Sequence, residues 1–333
     1  MNLLDRLLTL IPVTGQLDFR CHFGAPWRID EGRSADSQIA WHLLLSGTAT
    51  VASGDGPPVV MTAGDIVMFP TGDAHSLSEG EGGPTEPPRF EPGAGFTIVR
   101  QGDDEAADAV DVLCGRFFFG TVPYGLLQTY LPARMVVRGG RQGVSGDEAP
   151  APGSIGDRLA RLIALMRDET MAQEPGCEAL VGHLSGALFA MTLRAASEGE
   201  SSSRGLLALV REPRLQPALA AMFDAPERTW SLPDLAALCH MSRATFSRRF
   251  DEAAGCSAHD FLAEIRMAIA GRKLASTTAS VADIGESVGY QSDAAFQRVF
   301  KKVVGVTPAQ WRTRARQTHE IHEADQSRRN AAA

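Results

Sequence analysis

The sequence predicts an α+β chain, an N-terminal antiparallel β-barrel followed by an all-α C-terminal domain, and three observations carry that expectation. Residues 242–250 read SRATFSRRF and residues 292–300 read SDAAFQRVF, with Ser, Ala, Phe, Arg and Phe in register. The echo continues through Gly255 with Gly305, Ser257 with Thr307 and Phe261 with Trp311; a repeat of this kind is one structural unit built twice. Between residues 16 and 132 the pattern changes to short β-type runs split by Gly, Pro and Asp, the spacing of an antiparallel sandwich or barrel. Charge divides the same way: residues 204–316 hold sixteen Lys/Arg against eleven Asp/Glu, a net of +5, in a chain whose total is −8.

At the N-terminus, Leu3, Leu4, Leu7 and Leu8 make an amphipathic start with an acidic Asp5 and none of the cleavage pattern of a secretory signal. Candidate strands fall at residues 39–45, 48–52, 59–61, 66–69, 95–99, 112–119 and 134–137. Residues 64–75, GDIVMFPTGDAH, read as a tight turn, a strand, a Gly/Pro turn and an inward-facing His75. These residues resemble a signature of the cupin superfamily, and the resemblance implies that four groups converge in or near the barrel: Cys21, His42, His75 and Cys114. Imidazole plus thiolate suits zinc or a similar divalent metal; the alternative is that the histidines are hydrogen-bonded structural groups. Helical spacing follows in residues 155–171 and 177–196, with Leu159, Leu162, Ile163, Leu165 and Met166 on one face and Leu180, Leu184, Leu188, Met191 and Leu193 on the other. These faces pair two chains or pack within one. Residues 199–203 (GESSS) and 139–156 are the linker candidates.

In the C-terminal part, Ser231 with Asp234 forms a capping-box pattern, and Pro233 sits in a first turn where its missing N–H costs little. Leu235, Ala236 and Leu238 follow, then a Cys239-His240-Met241 turn and a second helix opened by Ser242. The second copy has Val281, Ile284 and Val288 on its first helix, a turn at Gly289-Tyr290-Gln291, and Ser292 at the next helix start. Gly289 stands where a positive φ is needed. Each copy is a helix-turn-helix, and residues 259–276 form a rod of roughly 25 Å between them. The second helix of such a motif lies in the DNA major groove with its early residues on base edges. Arg243, Thr245, Ser247, Arg248 and Arg249 are the candidates in copy one; Asp293, Gln297, Arg298 and Lys301 are those in copy two. A basic module attached to an acidic one fits a DNA reader with a separate control domain.

Over residues 206–316 the chain resembles the AraC/XylS family of transcriptional regulators. The resemblance rests on Leu232 to Ala236, on MSRATFSRRF ending at Phe250, on IRMA from Ile265, on IGESVGY from Ile284, and on AFQRVFKKVVGVTPAQWR ending at Arg312. It implies binding of double-stranded promoter DNA by both helix-turn-helix units, contact with RNA polymerase and activation of transcription. Residues 64–75 match G-x5-P-x-G-x2-H, the second signature of the cupin superfamily, while Trp41-His42 before Gly47 looks like a reduced first signature without its glutamate. Cys21, Trp27, Trp41-His42, residues 74–77 and Cys114-Gly115 further resemble a branch with a cupin sensor that answers reactive chlorine by cysteine oxidation. This chain departs from that branch by a Gly, Pro and Glu-rich insertion at residues 79–95 and an acidic piece at 102–111, both between the two cysteines. The resemblance implies that Cys21 and Cys114 are redox-sensing; Arg20 or His22 near Cys21 would favour a reactive thiolate. Cys177, Cys239 and Cys256 read as core residues on helices.

The expected division is a sensor domain at residues 1–150, a helical connector with possible dimer contacts at 151–203, the DNA-binding domain at 204–316 and a disordered tail at 317–333. No run of eighteen apolar residues occurs, so no membrane span is expected. Five cysteines without regular spacing point to a reducing, cytoplasmic setting and no disulfide framework. Two rival classes stay open. One is a regulator that answers a small molecule or a metal with idle cysteines; the other is a metal-dependent cupin enzyme fused to a DNA-binding module.

Overall fold

The computed structural model describes residues 2–34, 38–54, 56–80, 86–106, 109–120, 122–123, 125–139, 151–199 and 204–317. In chain order its elements begin with α1 (Leu3–Leu10), β1 (Thr14–Phe23), β2 (Trp27–Glu31), β3 (Gln38–Ser46), β4 (Thr48–Ser53), β5 (Val59–Thr62) and β6 (Ile66–Phe69). They continue with β7 (His75–Glu79), β8 (Arg89–Pro92), β9 (Thr97–Gln101), β10 (Val110–Phe118), α2 (Gly125–Tyr130), β11 (Met135–Val137), α3 (Ile155–Ala172) and α4 (Cys177–Glu198). The C-terminal helices are α5 (Leu206–Val210), a 3-10 turn at Pro213–Leu215, α6 (Gln216–Asp224), α7 (Leu232–Leu238), α8 (Arg243–Ala254), α9 (Ala258–Ser276), α10 (Val281–Ser287), α11 (Asp293–Val304) and α12 at residues 308–317. The chain forms two compact units that are not contiguous in sequence. Val13–Phe118 with Leu131–Ser202 makes a sheet unit, and Met1–Pro12, Phe119–Tyr130 and Ser203–Ala333 make a helical unit. The linker at 200–203, most of that at 139–156 and the tail from 318 lie outside the described residues.

The class is α+β, as expected. The strands form two hydrogen-bonded sheets rather than one closed barrel: β11-β6-β3-β10-β1-β9-β8 and β2-β7-β4-β5. One pair departs from the antiparallel expectation, since β9 runs parallel to β1 with Phe19 opposite Thr97. The later part of the insertion supplies β8, which pairs antiparallel with β9 and so extends the sheet beyond the β1 edge. The core lies between the sheets and takes Trp27, Leu44, Val51, Met61, Leu77 and Val112 from six strands. Strands β1, β2, β7 and β8 escape a reading by apolar runs because their charged residues are paired. In β1 the buried Arg20 donates to Asp111 at 2.6 Å and to Thr170 on α3 at 3.1 Å. Burying a charge is tolerable only when it is paired this way.

Helix α4 is long and apolar enough, by length and composition, to cross a membrane. Here it packs on α3, β1, β10 and β11. Close approach depends on small residues: a Cβ on Gly15 of β1 would stand 2.1 Å from the Ser185 Cβ. The apolar faces read for the two helices shift accordingly, for Leu165 and Leu180 are exposed, whereas Thr170, Ser185 and Thr192 are buried. Their hydroxyls donate to carbonyls one turn back, at 2.9, 2.7 and 2.7 Å, so small polar side chains fill the contact without orphaned groups.

In the helical unit the two copies fold as expected. Capping boxes join Ser231 with Asp234 and Ser280 with Asp283, and Ser242 and Ser292 cap α8 and α11. Phe246 and Phe250 are buried in one copy and Phe296 and Phe300 in the other. The turns superpose in their hydrogen bonds: Met241 donates to the Ala236 carbonyl at 2.9 Å and Tyr290 to that of Gly285 at 3.0 Å. Gly289 has φ +89° as its position requires, and His240 is forced into the same left-handed region at φ 52°. Helix α1 packs on α5 and α6, with Arg6 bonded to Asp224, and α2 packs on α9.

Two outcomes follow from these contacts. His240→Gly relieves the left-handed strain and raises the stability of the helical unit by about 1 kcal/mol, read as a higher urea midpoint at unchanged slope. Glu264 on α9 is raised to about 7, chiefly by burial and further by Asp260. Between the ordinary carboxylate value and about 7 the folded state therefore holds a proton that the unfolded chain has lost. Stability falls as pH rises through that window, and Glu264→Gln removes the fall, measured as melting temperature at acidic and neutral pH.

Candidate functional site

The sheet unit brings a buried cluster together on strand pairs. Cys114 on β10 lies directly opposite His42 on β3. Glu31 on β2 lies opposite His75 on β7. His42 is fully buried, its Nδ1 3.0 Å from the Cys114 Sγ and its Nε2 2.7 Å from the His75 Nε2. His75 Nδ1 stands 3.0 Å from the Asp73 carbonyl oxygen, and the Phe69 ring stacks on it at 3.6 Å. These contacts fix the protons. A carbonyl only accepts, so His75 Nδ1 donates and its Nε2 keeps a lone pair. His42 Nε2 then donates to His75, which leaves His42 Nδ1 as the acceptor for the Cys114 thiol.

Every group in the row is held neutral. Burial, then the neighbouring His75, keep His42 well below the usual imidazole range, and burial lowers His75 against the opposing Asp73 carbonyl. The Cys21 thiol hydrogen-bonded to Cys114, together with burial, pushes Cys114 well above the ordinary thiol range. Both cysteines are free and buried. The activators expected for Cys21 are misplaced: Arg20 and His22 alternate with it along β1 and both face Asp111, at 2.6 and 3.8 Å. The polar neighbour of the thiol pair is His42 instead.

The metal set read from the sequence is also rearranged. Glu31, His42 and His75 bring one ligand atom each within 4.8 Å of one another. The two thiols stand on the opposite, Nδ1 side of His42. Two imidazoles and a carboxylate suit a divalent metal with an open fourth position. Nitrogens sharing a tetrahedral zinc would stand roughly 3.3 Å apart, so the 2.7 Å contact is that of a hydrogen bond, and the metal and the shared proton are alternatives. Burial raises the Glu31 carboxyl, with Arg116 opposing. Its residue was missed because it precedes the signature; the clue was Trp27, Ile29 and Glu31 at period two, which puts all three on one strand face.

Cys177 is the first residue of α4 and buried, as expected. The other two correct the helix assignment, since Cys239 caps α7 and Cys256, half-buried, lies in the turn between α8 and α9.

On the helical unit, the candidate readers divide by helix face. Arg243 and Arg248 on α8 are exposed, with Thr245 and Ser247 half-buried. Arg248 is bonded to Glu252 at 3.1 Å, and Thr245 Oγ1 lies 2.9 Å from the capping Ser242 Oγ. Arg249 turns toward the core flank, 3.6 Å from Glu212, with its buried Nε unpartnered. On α11, Asp293, Gln297, Arg298 and Lys301 are all exposed, and Gln297 donates to Asp293 at 2.7 Å. Arg243, Arg298 and Lys301 make no ion pair among the described residues.

Comparison with known proteins assigns both units. Residues 2–198 match the family model described as cupin, and residues 235–314 match one described as a helix-turn-helix domain. The RCS-specific HTH-type transcriptional activator RclR of Escherichia coli K12 is 26% identical over 95% of this chain and 99% of its own length. The HTH-type transcriptional regulator MtrA of Neisseria gonorrhoeae is 27% identical over 94% of this chain and 98% of its own. A solved AraC-type DNA-binding-domain regulator from Chromobacterium violaceum, 26% identical with a TM-score of 0.31, covers 32% of this chain and 94% of its own. With the cupin match spanning more than half of the sequence and the helix-turn-helix domain following it, the chain belongs to the cupin family and is a DNA-binding transcriptional regulator.

Proposed function

We propose that the protein activates transcription from promoter DNA when an oxidant joins Cys21 to Cys114. The observation that carries this reading is the buried Cys21 diagonal to Cys114 across the β1–β10 ladder, with the Cys114 thiol 3.0 Å from the His42 acceptor. With hypochlorous acid the step balances. One thiol gains chlorine and releases water; the second thiol displaces chloride and yields the disulfide. Two thiols lose two electrons and two protons, and the oxidant leaves as chloride and water. His42 Nδ1 is placed to take the Cys114 proton as that sulfur attacks.

The register gives the bond a mechanical consequence. Cys21 pairs with Val112 and Phe19 with Cys114, so the cysteines are diagonal neighbours. Such positions stand ~7–8 Å apart, beyond the usual span of a disulfide, so closing the bond draws β1 along β10 at the bulge between Leu17 and Phe19. At the far end Thr14 pairs with Phe118. The chain there runs back into α1 and forward into α2, both belonging to the helical unit. Contact with RNA polymerase, pairing of two copies on DNA and a cytoplasmic, non-enzymatic role complete the proposal; they rest on the regulator family.

A footprint upstream of the protein's own gene, at fixed salt because affinity depends on it, tests the reading. Hypochlorite should change wild-type affinity by roughly 5- to 150-fold, while Cys21→Ser and Cys114→Ser bind DNA as the reduced wild type does and ignore the oxidant. An unaltered response in Cys21→Ser removes the cysteine switch.

The Glu31–His42–His75 group favours a second reading, a metal-responsive regulator with idle cysteines. In that case zinc raises the melting temperature of wild type, since a ligand bound only by the folded state stabilises it. His75→Ala shows no such rise.

A further inference from the structure

The two helix-turn-helix units meet at one buried guanidinium. Arg266 lies on α9, the rod that packs against α8 at one end and against α10 and α11 at the other. It is 8% exposed. Its Nε donates to the Pro226 carbonyl at 2.7 Å and its Nη2 to the Arg228 carbonyl at 2.9 Å. Residues 225–230 form the loop that enters the first unit at Ser231, and the loop is itself braced: Arg228 stacks 4.1 Å over the Trp230 ring, and Trp230 Nε1 donates to the Ala225 carbonyl at 2.9 Å. On its other side the Arg266 guanidinium lies 5.6 Å from the Tyr290 ring centroid, and a Cβ on the neighbouring Gly289 would stand 2.8 Å from its Nη2. Tyr290 belongs to the turn of the second unit, and its ring contacts Phe296 on α11 at 5.7 Å. The entry loop and the second turn touch directly as well, because a Cβ on Gly289 would stand 2.5 Å from the Glu227 carbonyl oxygen.

We propose that Arg266 is a positioning residue that fixes the spacing and rotation of the two DNA-reading helices by clamping the entry loop of the first unit to the turn of the second. The proposal rests on both units reading DNA. A planar fork holding two carbonyls on one side and a tyrosine on the other defines an orientation that a lysine, a single flexible point charge, does not. Rotation matters because each base pair inserted between two boxes turns the second by about 34° on a duplex of 10–10.5 base pairs per turn. A rigid pair of heads rejects such an insertion; a loosened pair follows it.

The test uses the full-length protein and a duplex selected by it from random sequences, with its boxes located by footprinting. Affinity is measured on that duplex, on versions carrying one or two extra base pairs between the boxes, and on a single-box duplex. Arg266→Lys is expected to weaken two-box binding by about tenfold, the loss of roughly one charged hydrogen bond. Single-box affinity stays within about twofold, and the insertion penalty flattens relative to wild type. Tyr290→Leu, which removes the ring against the guanidinium, moves the same readings in the same direction and serves if the arginine variant does not fold. Equal losses on both duplexes with an unchanged insertion penalty would reduce Arg266 to a stabiliser of the fold and overturn the proposal. A salt slope lowered by about one would also overturn it, by placing the side chain on a phosphate. Protection of a single box by wild type would instead overturn the two-headed reading on which the clamp depends.

Discussion

The register of β10 between β1 and β3 is the constraint on which the sensor unit depends. Side chains alternate strictly along a strand, so a slip of one residue would carry every one of them to the other face. In the register observed, Cys114 opposes His42 and Cys21 falls two positions along the neighbouring strand. The same alternation sends Arg20, His22 and Asp111 to the opposite face, where Arg20 ties the sheet to Thr170 of α3. One ladder thus separates a neutral thiol–imidazole row from a charged pair only a residue away. The neutrality of that row is a product of burial, since imidazole and thiol both lose their charged forms when water is withdrawn.

In the helical unit the comparable role falls to α9. At 19 residues it spans roughly 28 Å and carries ten buried residues, among them Phe261, Ile265 and Leu274. Each helix-turn-helix contributes two phenylalanines to the cores along this rod, and Arg266 lies between the entry loop of the first and the turn of the second. The two copies are equivalent but not identical. Copy two meets its left-handed turn with Gly289, whereas copy one carries His240 there and accepts the strain.

Much of this was legible in the amino-acid order because it depends on local physics. Serine caps, capping boxes, the Phe-x-x-x-Phe face and the left-handed glycine are decided within one or two helical turns, so the duplicated motif could be located residue by residue. The Gly/Pro turns that position His75 are local for the same reason. Strands whose charges are neutralised by partners far along the chain gave no such signal. Arg20 with Asp111 and Arg116 with Asp18 look solvent-facing until the ladder brings them together.

By itself, then, the sequence determined the class, the repeat, the caps and the set of residues capable of DNA, thiol and imidazole chemistry. Tertiary structure decided which of them meet. It moved Glu31 into the histidine pair, put the thiols on the far side of His42, turned Arg249 toward Glu212 and made α2 part of the helical unit. The physical reason is that pairing across a sheet or between helices is set by contacts distant in sequence, whose geometry no local periodicity encodes.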